Sequence, residues 1–142
     1  MDNFPDPLHL KYIDGRRWLV TASFRYHLGS KAGDEFVRVD AGTLTDFASI
    51  PRPLKMLWPS PGSSVDRPAV CHDELYVLPF IQHVDGTARR IDRAEADRIF
   101  FEAMGVTKTP GLTRRLLWLG VRSGGWVPWR RYRKAEQVNT VA

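Results

Sequence analysis

The sequence predicts a single α+β domain, with an N-terminal β-hairpin or small antiparallel sheet followed by three to four helices. The chain has 142 residues, 43% of them hydrophobic and 11% aromatic, which is enough for one core. Residues 17–26 alternate apolar and polar side chains with the period of a strand. Later segments repeat their apolar residues at helical spacing and are separated by glycine and proline.

The strands are predicted in the first third of the chain. Residues 17–26 form the first strand, residues 27–34 form a loop with two glycines, and residues 35–41 form the partner strand. Residues 44–47 either extend this hairpin or leave it.

The first two helices are predicted from their starts and stops. A short helix begins at Ser49, whose hydroxyl can cap the first turn, and Pro51 stands where a missing N–H costs nothing. A second helix covers residues 64–76, with Ser64 as the candidate cap and Pro79 after its end.

Two further helices follow a loop predicted at residues 86–91. Asp92 caps a helix over residues 92–104, because Glu95 stands three residues later, as in a capping box, and Gly105 ends it. The last helix covers residues 110–123 and ends at a glycine pair. Its predicted apolar side consists of Leu112, Leu116, Leu117, Leu119 and Val121.

The domain is predicted to span residues 1–125, and residues 126–142 are interpreted as a basic, aromatic C-terminal tail. The net charge is +5, and basic residues dominate from Arg114 onward. Such an end suits an anionic envelope surface, an acidic protein or nucleic acid, or it serves solubility. The predicted partner-binding residues are Trp126, Trp129, Arg130, Arg131 and Arg133.

Several classes are disfavoured by what the sequence lacks. No apolar run approaches the ~18 residues of a membrane span, and the N-terminus does not resemble a signal peptide, so we expect a protein made in the cytoplasm. The one cysteine, Cys71, allows neither an intramolecular disulfide nor a cysteine-based zinc site.

The stretch AVCHDELYVLP carries the candidate site. His72 and Tyr76 are one helical turn apart, so they point to one place. Imidazole can take a proton near neutral pH, and Asp97, which interrupts an apolar helix face, can orient it if the two helices pack antiparallel. The predicted catalytic residues are therefore His72, Asp73 and Asp97, supported by Tyr76, Asp46 and Ser49. Asp46, Asp73 and Asp97 are also candidate ligands for calcium or magnesium.

A structural interpretation stands beside the catalytic one. A His–Asp pair on a half-buried helix is often a hydrogen-bonded structural pair, and Asp97 can instead pair with Arg93, four residues earlier. In that case the histidine and the aspartates form a buried polar network that fixes the fold.

Three blocks of sequence resemble the DUF1353 family of small proteins of unknown function, which tailed phages and prophages encode. They are TDFASIPRPL, AVCHDELY and DRAEADRIFFEAM, and the resemblance covers roughly residues 20–125. It implies a virion- or tail-associated protein whose partners are other phage structural subunits. It implies no activity.

The His-Asp-x-x-Tyr helix is also similar to the active site of secreted phospholipases A2. This resemblance implies that His72 activates water, Asp73 holds calcium, Asp97 orients the histidine and Tyr76 supports that aspartate. The chain departs from those enzymes because it lacks their disulfides and their glycine-rich calcium loop.

Two hypotheses follow. The first is a phage-encoded hydrolase of lipid or other cell-envelope material with His72 as general base. The second is a virion or assembly component without catalysis. Binding of nucleic acid through the aromatic and basic C-terminus is a minor third hypothesis.

Overall fold

The computed structural model describes residues 3–14, 17–29, 33–45 and 63–141, with side chains described as far as residue 139. Asp46, Ser49 and the short helix predicted to begin at Ser49 lie outside these residues. The described strands are β1 (Leu10–Asp14), β2 (Arg17–Val20), β3 (Phe24–His27), β4 (Glu35–Val39), β5 (Leu44–Thr45), β6 (Phe80–His83) and β7 (Ala88–Arg90). The described helices are α1 (Asp66–Val77), α2 (Arg93–Val106), α3 (Gly111–Gly124) and α4 (Trp126–Val141). The predicted α+β class is confirmed.

The strands form two small antiparallel sheets, one in the order β1-β2-β5 and one in the order β3-β4-β6-β7. The single strand predicted over residues 17–26 is therefore wrong, because β2 and β3 belong to different sheets. Between them the amide of Thr21 donates to the carbonyl of His9. The predicted alternation of apolar and polar side chains nevertheless continues from β2 into β3, since Val20, Phe24 and Tyr26 are all buried.

The second sheet contains a hairpin that the sequence did not predict. Residues 86–91, expected to be a loop, include β7, which pairs with β6. Gly86 occupies the connecting turn with φ of 91°, a conformation that favours glycine. All three residues of β7 are exposed, so the strand lacks the alternation that would have revealed it.

Helix α1 begins two residues later than predicted. No side chain caps it, and the Ser64 hydroxyl instead lies 3.0 Å from the hydroxyl of Thr109. The predicted cap of α2 is confirmed, since the Asp92 carboxylate accepts from the amide of Glu95 at 2.8 Å. This helix runs past Gly105 to Val106.

The apolar side predicted for α3 is only partly correct. Leu117 and Val121 are buried, whereas Leu112 and Leu119 are 73% and 52% exposed. Because α3 has leucines on several sides, its sequence does not specify which side is buried. The surfaces against which it packs decide that.

The segment expected to be a tail forms helix α4. Trp129 packs against the main core, and Arg90 of β7 forms an ion pair with Glu136 at 2.7 Å. The apolar periodicity of this segment does not predict a helix. Contacts with side chains of other elements therefore stabilise α4.

The core consists of two clusters. The larger lies where the second sheet meets α1 and α2, and it includes Phe24, Tyr26 and Ile99. The smaller lies among α1, α2 and α3 and includes Phe100 and Leu117. Helix α1 contributes to both clusters, so its inner face is held against α2. No helix among the described residues is both long and apolar enough to cross a membrane.

Candidate functional site

The packing of α1 against α2 brings the predicted His72–Asp97 pair together. The Nε2 atom of His72 lies 2.7 Å from Oδ1 of Asp97. The hydroxyl of Tyr76, one turn after His72, donates to the same oxygen at 2.6 Å. The spacing of α1 predicted that His72 and Tyr76 face one place, and the packing of α2 against α1 puts Asp97 there.

The second carboxylate oxygen of Asp97 binds two arginines. Nη1 of Arg122, from α3, donates to Oδ2 at 2.7 Å, and Nη1 of Arg93 donates to it at 3.3 Å. The Arg93 contact is the one that the structural interpretation anticipated. Arg122 was missed, and no sequence signal could have identified it, because it reaches Asp97 only when α3 packs across α2.

The environment of Asp97 keeps it ionised. Burial raises the pKa of this carboxyl, but hydrogen bonds from His72, Tyr76 and Arg122 outweigh burial, so its pKa lies below the ordinary value. A carboxylate only accepts hydrogen bonds, so Nε2 of His72 carries the proton. In the neutral ring the basic lone pair then lies on Nδ1.

The histidine ring is held by its neighbours. Its centroid lies 4.3 Å from that of Tyr76 and 4.8 Å from that of Phe100, and His72 is 2% exposed. The orientation of the imidazole is therefore fixed by both packing and hydrogen bonding.

Asp73 lies elsewhere, because consecutive residues of a helix point about 100° apart. Its Oδ2 accepts from the hydroxyl of Thr45 at 2.8 Å. It lines a cavity of about 240 Å³ with Glu74 and Arg131. Burial, and then the charges of Asp40 and Asp73, raise the pKa of Glu74 to about 7. Asp73 is thus next to His72 in sequence but binds a different part of the fold.

The described residues contain no group of three or more histidine, cysteine, aspartate or glutamate side chains placed to hold a metal ion. Both oxygens of Asp97 already accept hydrogen bonds from protein donors. The carboxylate of Asp73 has the oxygen atoms that calcium or magnesium binds. Asp46 lies outside the described residues.

The predicted partner-binding residues divide into two groups. Trp129 makes an edge contact with Tyr76, at 5.2 Å between ring centroids, and Arg133 donates to the carbonyls of Tyr76 and Val77 at 2.6 and 2.9 Å. These two residues therefore bind the end of α1. The other three, Trp126, Arg130 and Arg131, are exposed.

Gly125, predicted only as a helix end, closes the site from the α3–α4 junction. A Cβ atom here would fall far inside van der Waals contact of the Tyr76 hydroxyl and would lie 3.3 Å from Nη1 of Arg93. Only glycine lets the backbone pass this close to the polar cluster.

These features define a small α+β protein with a buried His–Asp pair between two helices. The chain belongs to the DUF1353 family, described as a protein of unknown function, whose model matches residues 18–121. No curated protein and no solved structure matches the chain.

Proposed function

We propose that this chain is a small hydrolase of cell-envelope material, encoded by a tailed phage or prophage and associated with the virion or its tail. The observation that carries the catalytic part is the contact of His72 Nε2 with Asp97 Oδ1 at 2.7 Å. The phage setting is proposed from the three sequence blocks named above.

The chemistry follows from the tautomer of His72. With Nε2 donating to Asp97, Nδ1 is the atom left to take a proton from water as the water oxygen attacks the carbonyl of an ester or an amide. The imidazolium that forms is stabilised by Asp97 and returns the proton to the departing alkoxide of the ester or the departing amine of the amide. Tyr76 is a positioning residue, because its hydroxyl acts on Asp97.

The test compares His72→Asn with the parent protein. The substrates are phospholipid vesicles and purified peptidoglycan, each with added calcium and with a chelator. Asparagine cannot serve as a base near neutral pH, so hydrolysis should fall about 100-fold or more while the variant stays folded. His83→Asn is the matched control, since the His83 side chain is 36% exposed and lies on β6. No hydrolysis of any substrate by the parent protein would contradict the proposal.

A second candidate is a virion or assembly component without catalysis, bound to other phage structural subunits. The observation favouring it is that Asp97 is fully buried and accepts hydrogen bonds from four side chains. A buried carboxylate that accepts hydrogen bonds from several elements helps to fix a fold whether or not the cluster reacts. Under this proposal, His72→Asn lowers the melting temperature and the parent protein has no activity to lose.

A further inference from the structure

A groove lies on the outer side of α2 and α3, with a volume of about 600 Å³. Its lining combines an apolar floor with cationic side chains: Ala94, Phe101, Trp118 and Leu119 are apolar, and Arg98, Arg115 and Arg122 are cationic. The rings of Phe101 and Trp118 meet edge to face at 6.0 Å between centroids. The groove therefore suits a ligand with a hydrocarbon body and an anionic group.

Helices α3 and α4 form a strongly basic segment, and two of its arginines, Arg115 and Arg122, line the groove. Residues 111–141 contain seven of the 21 basic residues and one of the 16 acidic residues, so the remainder of the chain has 14 basic and 15 acidic residues. Arg98 pairs with Glu95 and Glu102 at 3.5 Å, and Arg122 with Asp97. Within the part of the chain that the structure describes, Arg115 has no ion pair, so its charge is available to a ligand.

Exposed apolar side chains extend from the groove along the helices. Leu112, Leu119 and Trp126 are spaced by seven residues and are 73%, 52% and 50% exposed. Helices α3 and α4 meet at Gly125, whose φ of −69° and ψ of −15° are helical. Two turns of a helix take about seven residues, so residues seven apart lie on nearly the same side. These three side chains therefore lie along one side of the two consecutive helices. The Arg130 guanidinium lies 5.5 Å from the Trp126 ring centroid.

We propose that this face docks on the surface of an anionic phospholipid bilayer. We call it the α3 surface and define it by Leu112, Arg115, Leu119, Trp126 and Arg130. Arginines attract anionic headgroups, and apolar side chains beside them enter the acyl boundary. Nucleic acid is the poorer occupant, because bases stack on aromatic rings and gain little from the exposed leucines.

The inference deepens the proposed function, on which it rests for one step only. Arg122 lines the groove and also binds Asp97, so the membrane-facing side adjoins the cluster that contains His72. Anionic phospholipid is then the surface at which hydrolysis takes place. Docking itself requires no turnover and is measured separately.

The experiment is co-sedimentation of the full chain with phosphatidylcholine vesicles, prepared with and without phosphatidylglycerol. The test variant is Arg115→Gln with Leu119→Ser. Loss of one arginine near an anionic surface weakens binding about five-fold. Loss of a leucine side chain that is half exposed in the free protein and enters the bilayer weakens vesicle binding about ten-fold. We therefore expect the double variant to bind about 50-fold more weakly. The control variant is Arg38→Gln with Val84→Ser, which removes one exposed arginine and one exposed apolar side chain from the second sheet and the turn after β6.

Binding of the parent protein to anionic vesicles but not to pure phosphatidylcholine, lost in the test variant and kept in the control, supports the proposal. Arg115→Gln alone is the second variant if the double variant unfolds. Equal binding by parent and test variant would overturn the proposal. Binding to a single-stranded oligonucleotide without vesicle binding would assign the surface to nucleic acid, and dimerisation abolished by the test variant would assign it to a second copy. A His72→Asn variant that still binds vesicles separates the two proposals, because hydrolysis and docking then fail independently.

Discussion

Replacement of Asp97 by asparagine tests how far the buried cluster stabilises the fold. Asparagine has nearly the same size, but it removes the charge that faces Arg93 and Arg122 and places an amide where one oxygen accepted hydrogen bonds. Removing one partner of a buried ion pair costs about 3–5 kcal/mol. The two arginine side chains are 20% and 31% exposed, so water recovers part of that cost, and we expect about 3 kcal/mol.

The assay is urea unfolding together with calorimetry. For a chain of this size, 3 kcal/mol corresponds to a fall of about 10 °C in melting temperature. Asp40→Asn is the control, because the Asp40 side chain is 68% exposed and pairs with Arg38 at the surface. It should change the free energy of unfolding by about 0.5 kcal/mol or less.

The pH dependence gives a second measurement of the same cluster. The pKa of Asp97 is lower in the folded protein than in the unfolded chain, where it is about 3.9. Its ionised form therefore stabilises the fold above about pH 4, and this contribution is lost as the pH falls through the folded value. The difference between parent and Asp97→Asn should thus be largest near neutral pH and should shrink in acid. A loss below about 1 kcal/mol, with no change in pH slope, would refute this account of the cluster.

Three further predictions concern its surroundings. Gly125→Ala should lower the free energy of unfolding by more than the roughly 1 kcal/mol of an average substitution, because the new Cβ would overlap the Tyr76 hydroxyl; calorimetry measures this, and a neutral effect would contradict the described close approach. Glu74→Gln should gain stability relative to the parent as the pH rises from about 4.5 to 7 and keep that advantage above pH 7, because burial raises the folded pKa of Glu74 from 4.5 to about 7 and the parent loses stability across that interval; parallel stability–pH curves between pH 4.5 and 7 would disprove this. Trp129→Ala should cost about 3 kcal/mol in urea unfolding, whereas a wild-type midpoint would mean that residues 126–142 do behave as a tail.

The sequence alone determined the parts of the site that depend on one helix or on one local rule. The four-residue spacing of His72 and Tyr76 places both on one face of α1, wherever that helix packs. The cap of α2 at Asp92 depends only on an amide three residues away. Asp97 was recognisable because a charge within an apolar stripe requires a partner.

Tertiary structure decided which side chains meet across elements. The contact of Arg122 with Asp97 depends on how α3 crosses α2. The break after Val20 arises because the two halves of one alternating segment pair with strands of different sheets. Helix α4 has little helical periodicity of its own, and its place is set by contacts of Trp129 and Arg133 with the end of α1. Local sequence specifies the direction of a side chain relative to its own backbone. The identity of its partner is a property of packing, and packing is set by the whole chain at once.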